Sequence, residues 1–282
     1  MIIKNNFQIV NTTGFEIGIN VYSQALEKPG DKFPIVIFSH GFKGFKDWGG
    51  FPYMMEILAE AGYTAASFNF SLNGVGKTNP MEFTRLDLFA QNTYSQELED
   101  LECVIEYFYE NADKYKIDRE RIALIGHSRG GGISIIKAAE DKRIKYLITL
   151  AAVSHFNRHT TEYKKKWKER GFDEVLNSRT NQMMRMNASF IEDLENNKER
   201  LNILNSVKKL NIPYLLIHGQ EDLSVKFSEA EEIYNYSNKD LTELYAVPNT
   251  GHTFGIVHPF EGTTKAFEMA ISKTLKFLNN YL

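Results

Sequence analysis

Continuous apolar runs alternate with amphipathic stretches along this chain. Residues 34–41, PIVIFSHG, form an unbroken β-branched run ending in glycine, the pattern of a strand buried on both faces. TAASFNFS, RIALIG, KYLITLAA, PYLLIHG and LTELYAV repeat that pattern at intervals down the sequence. Near the N-terminus FQIVN and FEIGINVYS alternate, which predicts two strands with a turn near Gly14. Between these runs the period changes. PYMMEILAEAGY reads as a helix closed by Gly62. From about Gln91 to Asn111, Leu98, Leu101, Val104, Ile105 and Phe108 fall on one helical face. Further helices are expected from Arg129 to about Glu140, near Ser228, and from about Gly262 to Leu282. Strands alternating with helices predict an α/β protein: a mostly parallel sheet with helices on both faces.

The rhythm breaks between Ser154 and Ser206. That span is polar and helical in pattern, carries Phe156, Tyr163, Trp167, Phe172, Met183, Met184, Met186 and Phe190, and contains no convincing strand. It is expected to be a helical cap (residues 154–206) inserted into a core made of residues 1–153 and 207–282. Helices laid over an open sheet end can cover the crevice where ligands bind, so the cap is expected to set substrate choice. Trp167 and Phe190 are candidate pocket-lining residues.

Composition narrows the classes of function. The 282 residues are 43% apolar and 24% charged with a net charge of −3, an ordinary globular balance that argues for neither nucleic acid nor an anionic membrane as partner. One cysteine, Cys103, excludes an internal disulfide framework. The first residues, MIIKNNFQIV, lack the apolar core of a signal peptide, and no apolar run reaches the roughly 18 residues that span a bilayer. The expectation is a cytoplasmic protein acting on a small molecule.

The stretch RIALIGHSRGGGISI carries the chemistry. Gly126-His127-Ser128-Arg129-Gly130 fits G-x-S-x-G, with a buried strand before it and a helix after it. A serine in such a turn is held strained, and its hydroxyl projects at a helix N-terminus that favours negative charge. The competing reading is a helix-capping serine among packing glycines. A serine nucleophile needs a base, and the base needs an orienting acid. Of seven histidines, His40 and His127 sit in constrained glycine turns, while His252, in PNTGHTFG, follows the last strand in a glycine-flanked loop. His252 is the candidate base, with His258 as alternative. Asp222, in the HGQEDLSV loop after a strand, is the candidate acid; Glu221 adjoins it, and a capping role for Asp222 competes. For the oxyanion of an acyl-transfer intermediate, the candidate donors are the backbone N–H groups of Arg129, which follows the serine, and of Phe42, in the glycine turn after PIVIFSHG.

With these residues in place the chain resembles the α/β-hydrolase superfamily over nearly its whole length, from PIVIFSHGF through GHSRGG and HGQEDLSV to GHTF. Within it the sequence is most similar to the compact dienelactone-hydrolase and prolyl-oligopeptidase-like esterases. The insertion after KYLITLAA also resembles the bacterial cinnamoyl and feruloyl esterases. The resemblance implies hydrolysis of an acyl bond by serine, an ester first, with peptidase or thioesterase activity as variants on the same machinery. The competing class is a ligand-binding protein on a hydrolase scaffold.

Two further motifs read as structure. GVGKT, residues 74–78, has Ser71 where a phosphate-binding loop needs its first glycine. The basic run YKKKWKER reads as a solvated helix face, with an anionic-substrate site as the lesser alternative. No histidine, cysteine or carboxylate cluster has metal-ligand spacing, so no metal or cofactor is expected.

Overall fold

The buried run PIVIFS lies at the centre of an eight-stranded sheet in the computed structural model, which describes residues 1–25, 30–177 and 180–282. In chain order the elements are β1 (Ile2–Val10), β2 (Glu16–Gln24), β3 (Phe33–Ser39), α1 (Phe51–Glu60), β4 (Thr64–Phe68), α2 (Leu86–Phe89), α3 (Tyr94–Glu110), β5 (Ile117–His127), α4 (Arg129–Glu140) and β6 (Ile144–Leu150). There follow α5 (Thr161–Arg170), β7 (Phe172–Asn177), β8 (Gln182–Asn187), α6 (Ser189–Asn196), α7 (Ile203–Val207), β9 (Tyr214–Gly219), α8 (Phe227–Tyr236), β10 (Thr242–Val247) and α9 (Lys265–Tyr281). The sheet order is β1-β2-β4-β3-β5-β6-β9-β10. The β1–β2 and β2–β4 pairings are antiparallel and all others parallel.

The pairing explains the composition of the strands. Ile35, Val36, Ile37 and Phe38 of β3, and Ala123, Leu124 and Ile125 of β5, are fully buried, because both faces of the central strands carry helices. On one side α1 meets α9, where the Tyr53 hydroxyl donates to Glu268 Oε1 at 2.7 Å. On the other, α3, α4, α7 and α8 pack in sequence. The edge strand β1 begins at Ile2, earlier than the FQIVN pattern shows. Lys4, Asn5 and Asn6 fall on its exposed positions, and pairing with β2 supplies the backbone partners that periodicity does not reveal.

The segment between β6 and β9 departs from the expected all-helical insertion. Residues 172–187 contain the antiparallel pair β7–β8, with Phe172 opposite Asn187 and Asn177 opposite Gln182. Met184 and Met186 point inward while Met183 and Arg185 face out, a period of two. Methionine and glutamine carry little strand propensity, so packing and not composition selects the strand there. Gly171, with φ of +83°, closes α5 and turns the chain into this hairpin. The basic run of α5 is a surface lattice: Lys168 and Lys164 reach Glu195, and Lys166 reaches Glu162.

Candidate active site

The loops that follow β3, β5, β9 and β10 meet at the carboxyl ends of the parallel strands, where open α/β sheets place their ligands. Ser128 stands between β5 and α4 with φ of +56° and ψ of −118°, a conformation that L-residues rarely adopt. The glycines around it are the reason the turn closes. A Cβ on Gly126 would lie 2.4 Å from the carbonyl oxygen of Gly130, and one on Gly130 would lie 2.4 Å from those of Ser39 and His40. Ser128 occupies the capping position of α4, yet its side chain makes no capping bond.

The hydroxyl goes elsewhere. Ser128 Oγ–H donates to His252 Nε2 at 3.0 Å, and His252 Nδ1–H donates to Asp222 Oδ2 at 2.7 Å. Burial grades along this chain: the Asp222 side chain is fully enclosed and that of His252 is 21% exposed. Asp222 Oδ1 accepts from the backbone N–H groups of Ser224 and Val225, at 2.8 and 2.9 Å. Nothing binds Asp222 as a cap of α8, whose first flanking residue is Lys226. Burial pushes the Asp222 carboxyl up, but hydrogen bonds from His218 and His252 and the charge of His252 outweigh it. The net effect holds it well below the usual carboxylate range. His218 Nε2–H, 2.8 Å from Val225 O and 3.3 Å from Asp222 Oδ2, braces the acid from behind, a neighbour that the sequence pattern did not single out.

The other histidines hold structure. His127 Nε2–H donates to the carbonyl of His252 at 3.0 Å and thereby fixes that loop against β5. Burial lowers His127 to about 3 and His40 to about 4, so both are neutral near pH 7. His40 Nδ1–H donates to Gly41 O, and its Nε2 accepts from the N–H of Phe70 at 3.3 Å. His258 accepts from the N–H of Gly49 at 3.0 Å and stacks on Trp48 with ring centres 6.1 Å apart, while the bond to Ser128 Oγ comes from His252. Glu221 does not join it, since Asp222 supplies the carboxylate.

The loop after β3 lies against the serine. A Cβ on Gly41 would come within 2.9 Å of Ser128 Cβ, so only glycine brings this backbone so near. Among the described residues, the N–H groups of Phe42 and Arg129 bond to no backbone or side-chain acceptor. A cavity of about 240 Å³ opens over Ser128 and His252, walled by Phe42, Trp48, Phe51 and Asn177. Trp167 and Phe190, the residues expected to line it, do not. They stack on each other with ring centres 5.8 Å apart, and Trp167 Nε1–H donates to Met186 O. Both are buried: Trp167 packs within the insertion, while Phe190 also joins it to the main sheet domain, 4.6 Å from the Tyr94 ring and 5.1 Å from the Arg129 guanidinium. The aromatic walls come instead from WGGF, residues 48–51, whose place beside the glycine turn of PIVIFSHGF was the available clue. Lys77 of GVGKT pairs with Glu16. Among the described residues no three His, Cys, Asp or Glu side chains gather as a metal would require. No described helix is long and apolar enough to cross a membrane.

Several known proteins are similar to this chain. An uncharacterised 31.7 kDa protein of Escherichia coli, encoded in the traX-finO intergenic region, is 32% identical over 122 residues, 43% of this chain and 38% of that one. The chain thus spans about two fifths of that relative's length. An acyl transferase of Photobacterium phosphoreum is 25% identical over 225 residues, 78% of this chain and 68% of the relative. Est1E from Butyrivibrio proteoclasticus, solved with ferulic acid bound, superimposes with a TM-score of 0.71 at 20% identity, covering 97% of this chain and 98% of that one, which establishes the shared fold. The BD-FAE family model matches residues 20–236, well over half of the sequence. On its strand order and on that match, the chain belongs to the BD-FAE family of α/β hydrolases.

Proposed function

We propose that this protein is a serine hydrolase that cleaves carboxylic esters through an acyl-enzyme intermediate. The observation that carries the reading is the unbroken relay from Asp222 through His252 to Ser128, with each oxygen and nitrogen at bonding distance. As Ser128 Oγ attacks the ester carbonyl, its proton passes to His252 Nε2. The imidazolium that forms is stabilised by Asp222, which remains ionised. The carbonyl oxygen becomes an oxyanion held by the N–H groups of Phe42 and Arg129, whose dipoles are in place beforehand. Collapse breaks the bond to the alcohol, which leaves with the proton from His252. Water then repeats the sequence on the acyl-serine and releases the acid.

The cavity walls favour an apolar acyl group. Phe42, Trp48 and Phe51 present aromatic surface, and each Å² of apolar area that a substrate buries there contributes about 25 cal/mol. The segment 154–206 acts as a cap in this reading, and Asn177 at the end of β7 is its contribution to the cavity. A second outcome, transfer of the acyl group to an alcohol instead of water, is favoured by the likeness to the Photobacterium acyl transferase.

The test is labelling by a fluorophosphonate together with ester turnover. The wild-type protein should label on Ser128, and Ser128→Ala should lose about 10⁴–10⁶ of its kcat. An unlabelled wild-type protein, or a Ser128→Ala variant that keeps turnover, would refute the reading. Adding a competing alcohol distinguishes transfer, which yields a new ester at the expense of the acid.

A further inference from the structure

Arg129 bears a side chain that the reaction as written does not use. That side chain is 10% exposed, and its guanidinium donates from Nη1 to Glu97 Oε1 at 3.3 Å. Asn92 Nδ2 donates to the same oxygen at 2.7 Å. Burial pushes the Glu97 carboxyl up, and Arg129 and Asn92 offset that rise only in part. Three aromatic rings face the guanidinium. The Phe42 ring centre is 3.9 Å from Cζ, and those of Tyr94 and Phe190 are 5.0 and 5.1 Å away. Phe89 stacks against Phe42 at 5.8 Å, with planes 27° apart.

An ion pair in such a place has no evident value as packing. Apolar residues of similar volume usually serve a buried site as well or better. Here Glu97 Oε2 and Asn92 Oδ1 are buried without a hydrogen-bond partner among the described residues, so the pair is held against an unmet desolvation cost. What the pair accomplishes is geometric. A planar cation seats flat on a ring as a lysine ammonium does not. The ring it seats on belongs to the residue whose N–H is one oxyanion donor, and the cation itself belongs to the residue that supplies the other.

We propose that the Arg129 side chain, anchored by Glu97, is a positioning residue that locks the Phe42 ring and so holds both oxyanion donors in register. The loop it steadies is also tied at its ends, by His40 Nδ1–H to Gly41 O and by Lys43 Nζ to Leu176 O, but the Phe42 ring itself rests on the guanidinium and on Phe89. The loop is a glycine-flanked turn closed by a bond from Gly44 N–H to Gly41 O, with Lys43 at φ of +53°. The inference rests on the reading of Ser128 as nucleophile and of the two N–H groups as its oxyanion hole.

The experiment uses two variants: Arg129→Lys, and the double variant Arg129→Met with Glu97→Gln, which removes both charges together. Met and Lys both suit the first turn of a helix, so the backbone at 129 is retained. Complete loss of one oxyanion donor costs about 10²–10³ in kcat. A donor that is loosened but present should cost about 10–100-fold, with KM within about threefold of wild type. Hydrogen–deuterium exchange of the amides at 41–45 should quicken in both variants, while the double variant melts within a few degrees of wild type. A folded double variant with wild-type kcat, or with unchanged exchange at 41–45, overturns the inference while leaving the Ser128 reading intact. An Arg129→Lys variant equal to wild type in both measurements overturns it as well, because charge alone would then suffice. If the wild-type protein fails to label on Ser128, the functional reading has failed instead, and the exchange data still decide whether Arg129 holds the loop.

Discussion

Replacing Gly130 by alanine adds one methyl group at the closest approach of α4 to the sheet. That methyl would stand 2.4 Å from the carbonyl oxygens of Ser39 and His40 and 2.8 Å from the Ser39 carbonyl carbon. Real Cβ atoms do not approach other heavy atoms below 3.0 Å, so the start of α4 must withdraw from the end of β3 by 0.6 Å or more. The neighbours are backbone, and no rotamer change relieves the overlap. Overpacking of this kind costs about 1–3 kcal/mol, and a wholly backbone clash belongs at the upper end. For a chain of this size each kcal/mol lowers Tm by about 2–4 °C. The same retreat separates Ser128 from the loop bearing Gly41 and Phe42. A displacement of about 1 Å in a reacting group can cost about 10²-fold, which sets the expected loss of kcat/KM at about 10–100-fold. The assays are hydrolysis of a chromogenic ester and thermal unfolding. Gly18→Ala is the control, because its added methyl meets only Lys46 Cε, at 3.8 Å. If Gly130→Ala matches wild type in Tm and in kcat/KM, the close packing of α4 on β3 does not set the geometry of the serine.

Three further outcomes are expected. Asp222→Asn replaces an all-acceptor group by one that must turn its amide either on the Ser224 and Val225 N–H groups or on His252 Nδ1–H. Its kcat should fall by about 10⁴ with the fold retained, and a loss under tenfold would remove Asp222 from the relay. Because the folded Asp222 carboxyl is depressed, its stabilisation is complete above its ordinary value of about 4 and is lost as pH falls through the lower folded value. The stability gap between wild type and Asp222→Asn should therefore narrow only below about pH 4. His40 and His127, lowered to about 4 and about 3, are bases that the folded protein keeps neutral and the unfolded chain protonates below about 6.5. Their contribution is whole above that pH and shrinks on acidification by up to about 1.4 kcal/mol per pH unit for each. NMR of the imidazole nitrogens in the folded protein at pH 5 should show both rings neutral, and a protonated ring at either position would refute its burial as a neutral group. Asn177→Leu should raise kcat/KM for long-chain and aromatic acyl esters relative to acetate; an equal change for every ester would show that the insertion does not discriminate.

The strand–helix rhythm, the parallel sheet and the residues of the relay were legible because each leaves a local mark. A strand buried on both faces must be continuously apolar, a strained serine turn must be glycine-rich, and loops after such strands carry the chemistry. Ser128, Asp222 and His252 each follow their own strand in that way, at the ends of β5, β9 and β10. What was not legible depends on contacts between segments far apart in the chain. Which side chains enclose the cavity was decided by packing that buries Trp167 and Phe190 against each other and Phe190 against Tyr94, and leaves the walls to Phe42, Trp48, Phe51 and Asn177. The β7–β8 hairpin escaped because its inward methionines carry the period of a strand without the residue types of one. The Glu97–Arg129–Phe42 cluster joins residues of α3, of the serine turn and of the loop after β3. Sequence by itself determined the mostly parallel sheet with helices on both faces and the loops that carry Ser128, Asp222 and His252, since burial and backbone geometry act residue by residue. Tertiary structure alone decided the cavity walls and the buried ion pair, since a side chain's neighbours are set by the packing of whole elements.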